Sequence, residues 1–288
     1  VYKRQPPYCR VPESLPEIVP ASRVSAVGSR YNRRFSGTGG MYQYNEAFYR
    51  YINQGACYAA EQLLPLLCSR LATPVTSVLD VGCGAGAWLS VWKQRGAQVL
   101  GLDGAYVLPQ SLLIEPDEFK AQDLSHAFDL GRHFDLVQCL EVAEHIPSAS
   151  SESLVQSLCR HTNVVLFSAA PPGQGGENHV NEQPYDYWRD LFAAQGFYMY
   201  DPVRAELVPD TQIKPWYRFN TFLYVRAGAV PTIHANLADS RVPEGVSPRD
   251  LGPLLYRLRK RLVAELPVTA MTALAALKKR MFNARYSR

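Results

Sequence analysis

Between Ser77 and Arg226 the chain alternates short apolar runs with stretches whose apolar residues recur every three or four positions. Unbroken apolar runs of strand length belong to strands covered on both faces, and the 3.6-residue period between them marks amphipathic helices. The pattern predicts strands over 77–81, 98–102, 134–139, 163–168, about 197–201 and 219–225, and helices over 86–95, 150–161 and 185–195. Strands and helices in alternation point to a mostly parallel α/β sheet with helices on both faces. Pro202, Pro209 and Pro215 argue against a helix between the last two strands and for a hairpin-like antiparallel end. Ahead of the sheet, Phe48, Ile52, Ala59, Leu63, Leu64, Leu66 and Leu67 predict two helices within 42–71, broken near Asn53-Gln54-Gly55 and at Pro65.

The ends carry different patterns. Residues 1–40 are rich in Pro, Ser, Arg and Gly without either period and are expected to form a loose arm. There is no initiator Met, and Val1 to Gln5 (VYKRQ) reads as translated sequencing adapter, so those five residues are set aside. Residues 227–248 are expected to be a linker, and 249–288 to form basic helices divided at Pro267. One apolar stripe there is Leu251, Leu254, Leu255, Leu258 and Leu262; the other is Met271, Leu274, Leu277, Met281 and Phe282. Packing on the domain or on a second subunit is the ordinary use of such stripes, and peripheral contact with an anionic membrane or a partner helix is the other.

Composition narrows the class. With 288 residues, 47% hydrophobic and 19% charged, the chain fits one folded catalytic-size domain with terminal additions. A net charge of +4 is too small to imply nucleic-acid binding. Its placement is uneven, because Arg257 to Arg288 holds nine Lys or Arg and one acid, Glu265. Cys9, Cys57, Cys68, Cys83, Cys139 and Cys159 include no C-x-x-C pair and read as reduced thiols. Without a signal-peptide core or a membrane-length apolar run, the expected location is cytoplasmic.

Ser77 to Gly86 (SVLDVGCGAG) is a buried strand, a glycine-rich turn and the start of a helix. Gly82, Gly84 and Gly86 let the backbone turn tightly and let a ligand approach with no Cβ in the way. The next strand ends in Asp103, 21 residues after Gly82, where a carboxylate can accept hydrogen bonds from ribose hydroxyls. The spacing is G-x-G-x-G rather than the dinucleotide G-x-G-x-x-G, and Asp80 precedes it, near any cationic part of the ligand. Asp123, about 20 residues past Asp103, is placed to accept from an adenine amino group.

Together these residues resemble the class I S-adenosylmethionine-dependent methyltransferases, over roughly residues 42–226. The resemblance implies a Rossmann-like, mostly parallel seven-stranded sheet with an antiparallel last strand, filling a domain at 41–226. It also implies S-adenosylmethionine as cofactor, bound by Asp80, Gly82, Cys83, Gly84, Gly86, Asp103, Asp123 and Glu141.

After the strand at 134–139 comes Glu141-Val142-Ala143-Glu144-His145, at the carboxyl end where such sheets bind ligands. In a helical turn Glu141, Glu144 and His145 project to one side, and two carboxylates with an imidazole suit a hard or borderline divalent ion. The Pro/Gly-rich loop Ser168 to Gln183 can bring His179 to the same mouth. E-x-x-E-H with a distant His resembles the metal-dependent branch found in small-RNA 3′-terminal 2′-O-methyltransferases and ubiquinone-biosynthesis O-methyltransferases. That resemblance implies metal ligands Glu141, Glu144, His145 and His179, with Mg²⁺, Mn²⁺, Fe²⁺ and Zn²⁺ all open. Two other readings stand beside it: His145 or His179 as a metal-free catalytic base, or a turn that only shapes the pocket. His126, His133, His161 and His234 have no clustered partners and are expected at the surface or at helix ends.

The expected reaction is methylation of a hydroxyl on a small molecule or glycan, since an alcohol gains most from a base or metal. Tyr42, Tyr44, Tyr49, Tyr51, Tyr58, Tyr185, Tyr187, Trp188, Trp216 and Tyr217 offer flat surfaces for such substrates. An RNA 2′-O-methyltransferase using the basic tail, and a non-catalytic cofactor-binding scaffold, are the competing readings.

Overall fold

The computed structural model describes residues 46–232 and 235–267, with 269, 270, 272, 273, 276 and 277. The expected loose arm, Cys9, Tyr42, Tyr44, His234 and most of the second C-terminal stripe lie outside the described residues.

Seven strands make one sheet: β1 (Ser77–Val81), β2 (Gln98–Asp103), β3 (Phe119–Ala121), β4 (Leu136–Leu140), β5 (Val164–Ser168), β6 (Phe197–Tyr200) and β7 (Phe222–Arg226). Their order is β3-β2-β1-β4-β5-β7-β6. β7 runs antiparallel to both β5 and β6, and the other neighbours are parallel. This is the Rossmann-like sheet with an antiparallel last strand. The chain winds outward from β1 in both directions, so a crevice opens at the carboxyl ends of β1 and β4.

Both faces are covered. Val78, Leu166, Leu223 and Val225 enter one core with α1 (Glu46–Cys68) and α2 (Ala87–Gln94). Leu79, Val81, Val137, Val165, Phe167, Phe222 and Tyr224 enter the other with α3 (Ser151–Arg160) and α4 (Tyr185–Ala194). That double burial is why the strands read as near-continuous apolar runs. Trp92 Nε1 donates to Gln138 Oε1 at 2.9 Å and ties α2 to β4 in the interior.

Several expectations need correction. α1 is one helix through Gly55 and Pro65, not two. Its buried Leu63, Leu64 and Leu67, each worth roughly 1.5–3 kcal/mol, outweigh the roughly 1 and 3 kcal/mol that an interior Gly and Pro cost. β3 was not in the pattern because it is a three-residue edge strand with two exposed positions. Two short helices, α5 (Arg204–Leu207) and α6 (Pro215–Asn220), occupy the stretch expected to hold none. Pro202 and Pro209 flank α5, and Pro215 begins α6, where its missing N–H costs nothing. Phe219 and Asn220 therefore belong to α6, and β7 starts later than predicted. His161 ends α3 as expected but is fully buried, its Nδ1 2.6 Å from Ser157 O and its Nε2 accepting from Leu130 N.

Residues 227–248, expected as a linker, contain α7 (Ala235–Ala238) and run beside β6. Asp201 N donates to Ser240 O, Val242 N donates to Met199 O, and Leu237 is buried. Beyond them α8 (Leu254–Ala264) lies on the loop that follows β5. The Lys260 carbonyl oxygen comes so close to Gly173 that a Cβ there would lie 1.8 Å away, and Arg259 Nη1 donates to Gln174 O at 3.1 Å. Lys260 is buried on this inner face and pairs with Asp250 at 2.6 Å. The leucine stripe, expected on the domain, on a second subunit or at a membrane, does not pack on the domain: Leu254, Leu255, Leu258 and Leu262 are exposed. Among the described residues no helix is long and apolar enough to cross a membrane.

Arg204 joins these late elements. Fully buried, it binds both Asp201 oxygens at 2.9 and 2.6 Å, donates Nη1 to Phe219 O and Arg249 O, and lies 4.0 Å above the Phe222 ring. Arg204→Ala is expected to lower the unfolding free energy by about 3–5 kcal/mol, because it leaves buried acceptors unpaired. Urea unfolding followed by circular dichroism measures this, and a change within error of zero would remove Arg204 as the tie.

Candidate active site

The turn after β1 is built by backbone shape. Gly82, Gly84 and Gly86 all have positive φ, at 85°, 53° and 81°. A Cβ on Gly82 would fall 2.2 Å from Val142 Cγ2, whereas one on Gly84 would meet nothing within 4 Å. Gly82 therefore lets β1 and the turn after β4 close together, while Gly84 opens onto the crevice. Cys83 turns its thiol inward, against Gly101, so only its main chain remains for a ligand. Asp103 ends β2 beside this turn: Oδ2 accepts from Gly84 N at 2.7 Å, and Oδ1 from Gly104 N and the Tyr106 hydroxyl. Tyr106 was not foreseen; it is 74% exposed and folds back over Gly104 to reach Asp103. Asp123 follows β3 with its carboxylate turned to Ser125 and His126 in its own loop.

Asp80 is buried within β1, and burial pushes its carboxyl up to about 7. Gln138 alongside pulls the value back and the Asp103 carboxylate raises it further. The group stands poised to ionise when a positive charge arrives.

At the end of β4 the chain enters a strained turn, with Glu141 at φ 58° despite its side chain. Its main-chain N–H is held by Ser168 O at 3.0 Å and Ser168 Oγ at 3.1 Å. Its carboxylate oxygens accept from Gln174 Nε2 at 2.7 Å and Asn220 Nδ2 at 3.2 Å. Asn220 also donates to Gln174 Oε1 and accepts from the Tyr185 hydroxyl. Glu141 thus belongs to a buried amide–carboxylate network.

Glu144, His145 and His179 come together separately, each offering a ligand atom within 4.8 Å of the others. The four-residue set implied by the sequence resolves into this trio, with Glu141 apart. Glu144 is 1% exposed, and its Oε2 has no hydrogen-bond partner among the described residues. Burial, with Glu141 next, drives its carboxyl well above the usual range. The two imidazoles meet edge to face at 4.8 Å. His145 Nδ1 lies 3.2 Å from Asn178 O, and His179 Nδ1 lies 2.7 Å from Glu182 Oε1. Both acceptors make Nδ1 the donor and leave Nε2 as the nitrogen a metal would take. His145 keeps an exposed edge, yet desolvation of the rest of its ring, then the His179 ring, lowers it to about 4. Glu182, also missed, accepts from Gly173 N and Gly175 N and so braces the loop as well as His179. Gly176 leaves room for the ring, since a Cβ there would lie 2.0 Å from His179 Nε2. The i, i+3 spacing of His179 and Glu182 was the only sequence signal for that pair. An orphaned buried carboxylate oxygen beside two imidazoles is a donor set that suits a borderline divalent ion.

A glycine-rich turn beside a strand-end carboxylate, at the reversal of a parallel sheet, defines a nucleoside-cofactor enzyme. The family model described as a methyltransferase domain matches residues 50–204, more than half of the 288 residues. The chain belongs to this family, and it is a class I S-adenosylmethionine-dependent methyltransferase. It is 32% identical over 128 residues to the ubiquinone biosynthesis O-methyltransferase of Pseudomonas fluorescens strain SBW25, covering 41% of this chain and 49% of that protein. The Pseudomonas syringae pv. tomato protein of the same name is 33% identical over 128 residues, with 41% and 49% covered. The chain spans about half the length of the curated relatives it matches. Among solved structures, magnesium protoporphyrin IX methyltransferase from Synechocystis PCC 6803 aligns with a TM-score of 0.44 at 21% identity, covering 68% of this chain and 89% of that one. DesVI of Streptomyces venezuelae aligns with a TM-score of 0.47 at 17% identity, covering 65% and 100%.

The raised Asp80 carboxyl carries a pH prediction. A cationic cofactor beside it favours the ionised form, so binding releases a proton and weakens as pH falls below about 7. Calorimetry of S-adenosylmethionine binding is expected to show Kd rising by up to roughly tenfold per pH unit below that point. Asp80→Asn should flatten the profile, and an unchanged profile in that variant would place the titrating group elsewhere.

Proposed function

We propose that this chain transfers the methyl group of S-adenosylmethionine to a hydroxyl of a small molecule or glycan. In this reading Glu144, His145 and His179 would hold a divalent ion. The observation that carries it is the convergence of their ligand atoms within 4.8 Å at the carboxyl end of β4. Next to the glycine turn, that is where the methyl acceptor must approach. The likeness to ubiquinone biosynthesis O-methyltransferases supports oxygen as the acceptor.

Gly82 to Gly86 pass under the amino-acid part of the cofactor, with Asp80 facing its positive charge. Asp103 accepts from the ribose hydroxyls, which take over the place of the Tyr106 hydroxyl on Oδ1. Asp123 serves the adenine amino group once its carboxylate turns from Ser125. As the new O–C bond forms, the C–S bond breaks behind it with its electron pair left on sulfur and the hydroxyl proton lost to solvent, so alignment supplies much of the acceleration. A bound divalent ion supplies Lewis acidity that lowers the acceptor hydroxyl's pKa. Glu182 and the Asn178 carbonyl keep both imidazoles oriented, and the Glu141–Gln174–Asn220 network fixes the strained turn from which Glu144 and His145 project.

Chelation should abolish turnover, with add-back of Mg²⁺, Mn²⁺, Fe²⁺ or Zn²⁺ restoring it. His145→Ala and His179→Ala should both weaken metal binding, and Glu182→Gln should do so by about 10–100-fold through His179. Full activity of metal-free enzyme would instead make one imidazole the base, and then only one of the two histidine variants would matter. For the cofactor, Asp103→Ala should cost roughly 1.5–3 kcal/mol of affinity by calorimetry, and equal binding would remove the ribose anchor.

A further inference from the structure

We infer that the outward face of α8 docks the protein on an anionic lipid surface. At 3.6 residues per turn, Leu254, Leu255, Leu258 and Leu262 fall within roughly a third of the helix circumference. All four are exposed, Leu255 at 79% and Leu262 at 75%, and Leu266 just beyond the helix continues the face. The opposite face is already used: Tyr256 packs beside Phe219, and Lys260 is buried against Asp250. α8 is therefore seated, and the leucines are not a face that would close by the helix rotating inward.

Charge selects the occupant. Arg257 and Arg261 border the leucines on one side, Arg259 on the other turns its guanidinium back to Gln174 O, and Glu265 is the single acid from Arg257 to the last residue against nine Lys or Arg. A second copy apposed through this face would set arginine against arginine at a two-fold contact, with only Glu265 to offset them. Anionic headgroups meet Arg257 and Arg261 while the leucines enter the acyl boundary, as for helices that lie in a membrane interface. α8 also rests on Gly173 and Gln174, in the loop that carries His179 and Glu182, so docking holds that loop about one helix diameter from the lipid surface. The inference stands on the helix itself and does not depend on the metal reading.

Co-sedimentation of the full chain with phosphatidylcholine vesicles, with and without phosphatidylglycerol, tests it. Binding is expected only to the anionic vesicles and should be released by high salt. L255E/L262E, which changes exposed side chains only, should bind at least about tenfold more weakly, with melting temperature and S-adenosylmethionine affinity unchanged. R257E/R261E, a second surface variant, should lose binding in the same way. No sedimentation with anionic vesicles, or undiminished binding by L255E/L262E, overturns the proposal. So does a dimer, seen by sedimentation velocity, that L255E/L262E abolishes while vesicles bind neither form, since that assigns the face to a second copy.

Discussion

The structure depends on β1 being held in parallel register by β2 on one side and β4 on the other. Parallel pairing brings the carboxyl ends of all three strands to one edge, and each end carries an acid or leads directly into one. Asp80, Asp103, Glu141 and Glu144 are thereby gathered at a single crevice, with burial driving the carboxyls of Asp80, Glu141 and Glu144 upward and a set of donors holding Asp103. Concentrating carboxylates in a desolvated crevice is unfavourable for the empty fold and favourable for bound cations. Raised carboxyls cost the free fold stability as pH rises from the ordinary carboxylate range through the raised values, because the unfolded chain ionises first. A cationic cofactor, and a divalent ion in the proposed reading, relieve the same strain.

Around this edge the chain accepts unfavourable backbone where geometry demands it. Glu141 and Asn178 both have φ 58°, one opening the turn to Glu144 and His145, the other placing the carbonyl that holds His145. Left-handed backbone at non-glycine residues costs of order 1–3 kcal/mol and persists where neighbours over-determine it. Here the neighbours are explicit: Ser168, Gln174 and Asn220 for Glu141, and the Glu182-braced loop for the segment leading to His179. The loop is held in turn by α8, so the C-terminal helix acts on the site through packing and not only through its outward face.

The sequence by itself determined the layered sheet, because doubly covered strands are apolar at nearly every position and that pattern survives without neighbours to read it against. It also determined the glycine turn and Asp103, whose chemistry is local: positive φ at Gly82, Gly84 and Gly86, and a carboxylate one strand away. Glu144, His145 and His179 were legible as residue types. Their separation from Glu141 was not, since it depends on Gln174 and Asn220 arriving from 33 and 79 positions away to claim that carboxylate. The tertiary structure alone decided that α1 continues through Gly55 and Pro65, that β3 closes the sheet, and that α8 buries a lysine and exposes its leucines. Each outcome turns on contacts between distant segments, and a hydrophobic period records only that a face is apolar, never what covers it.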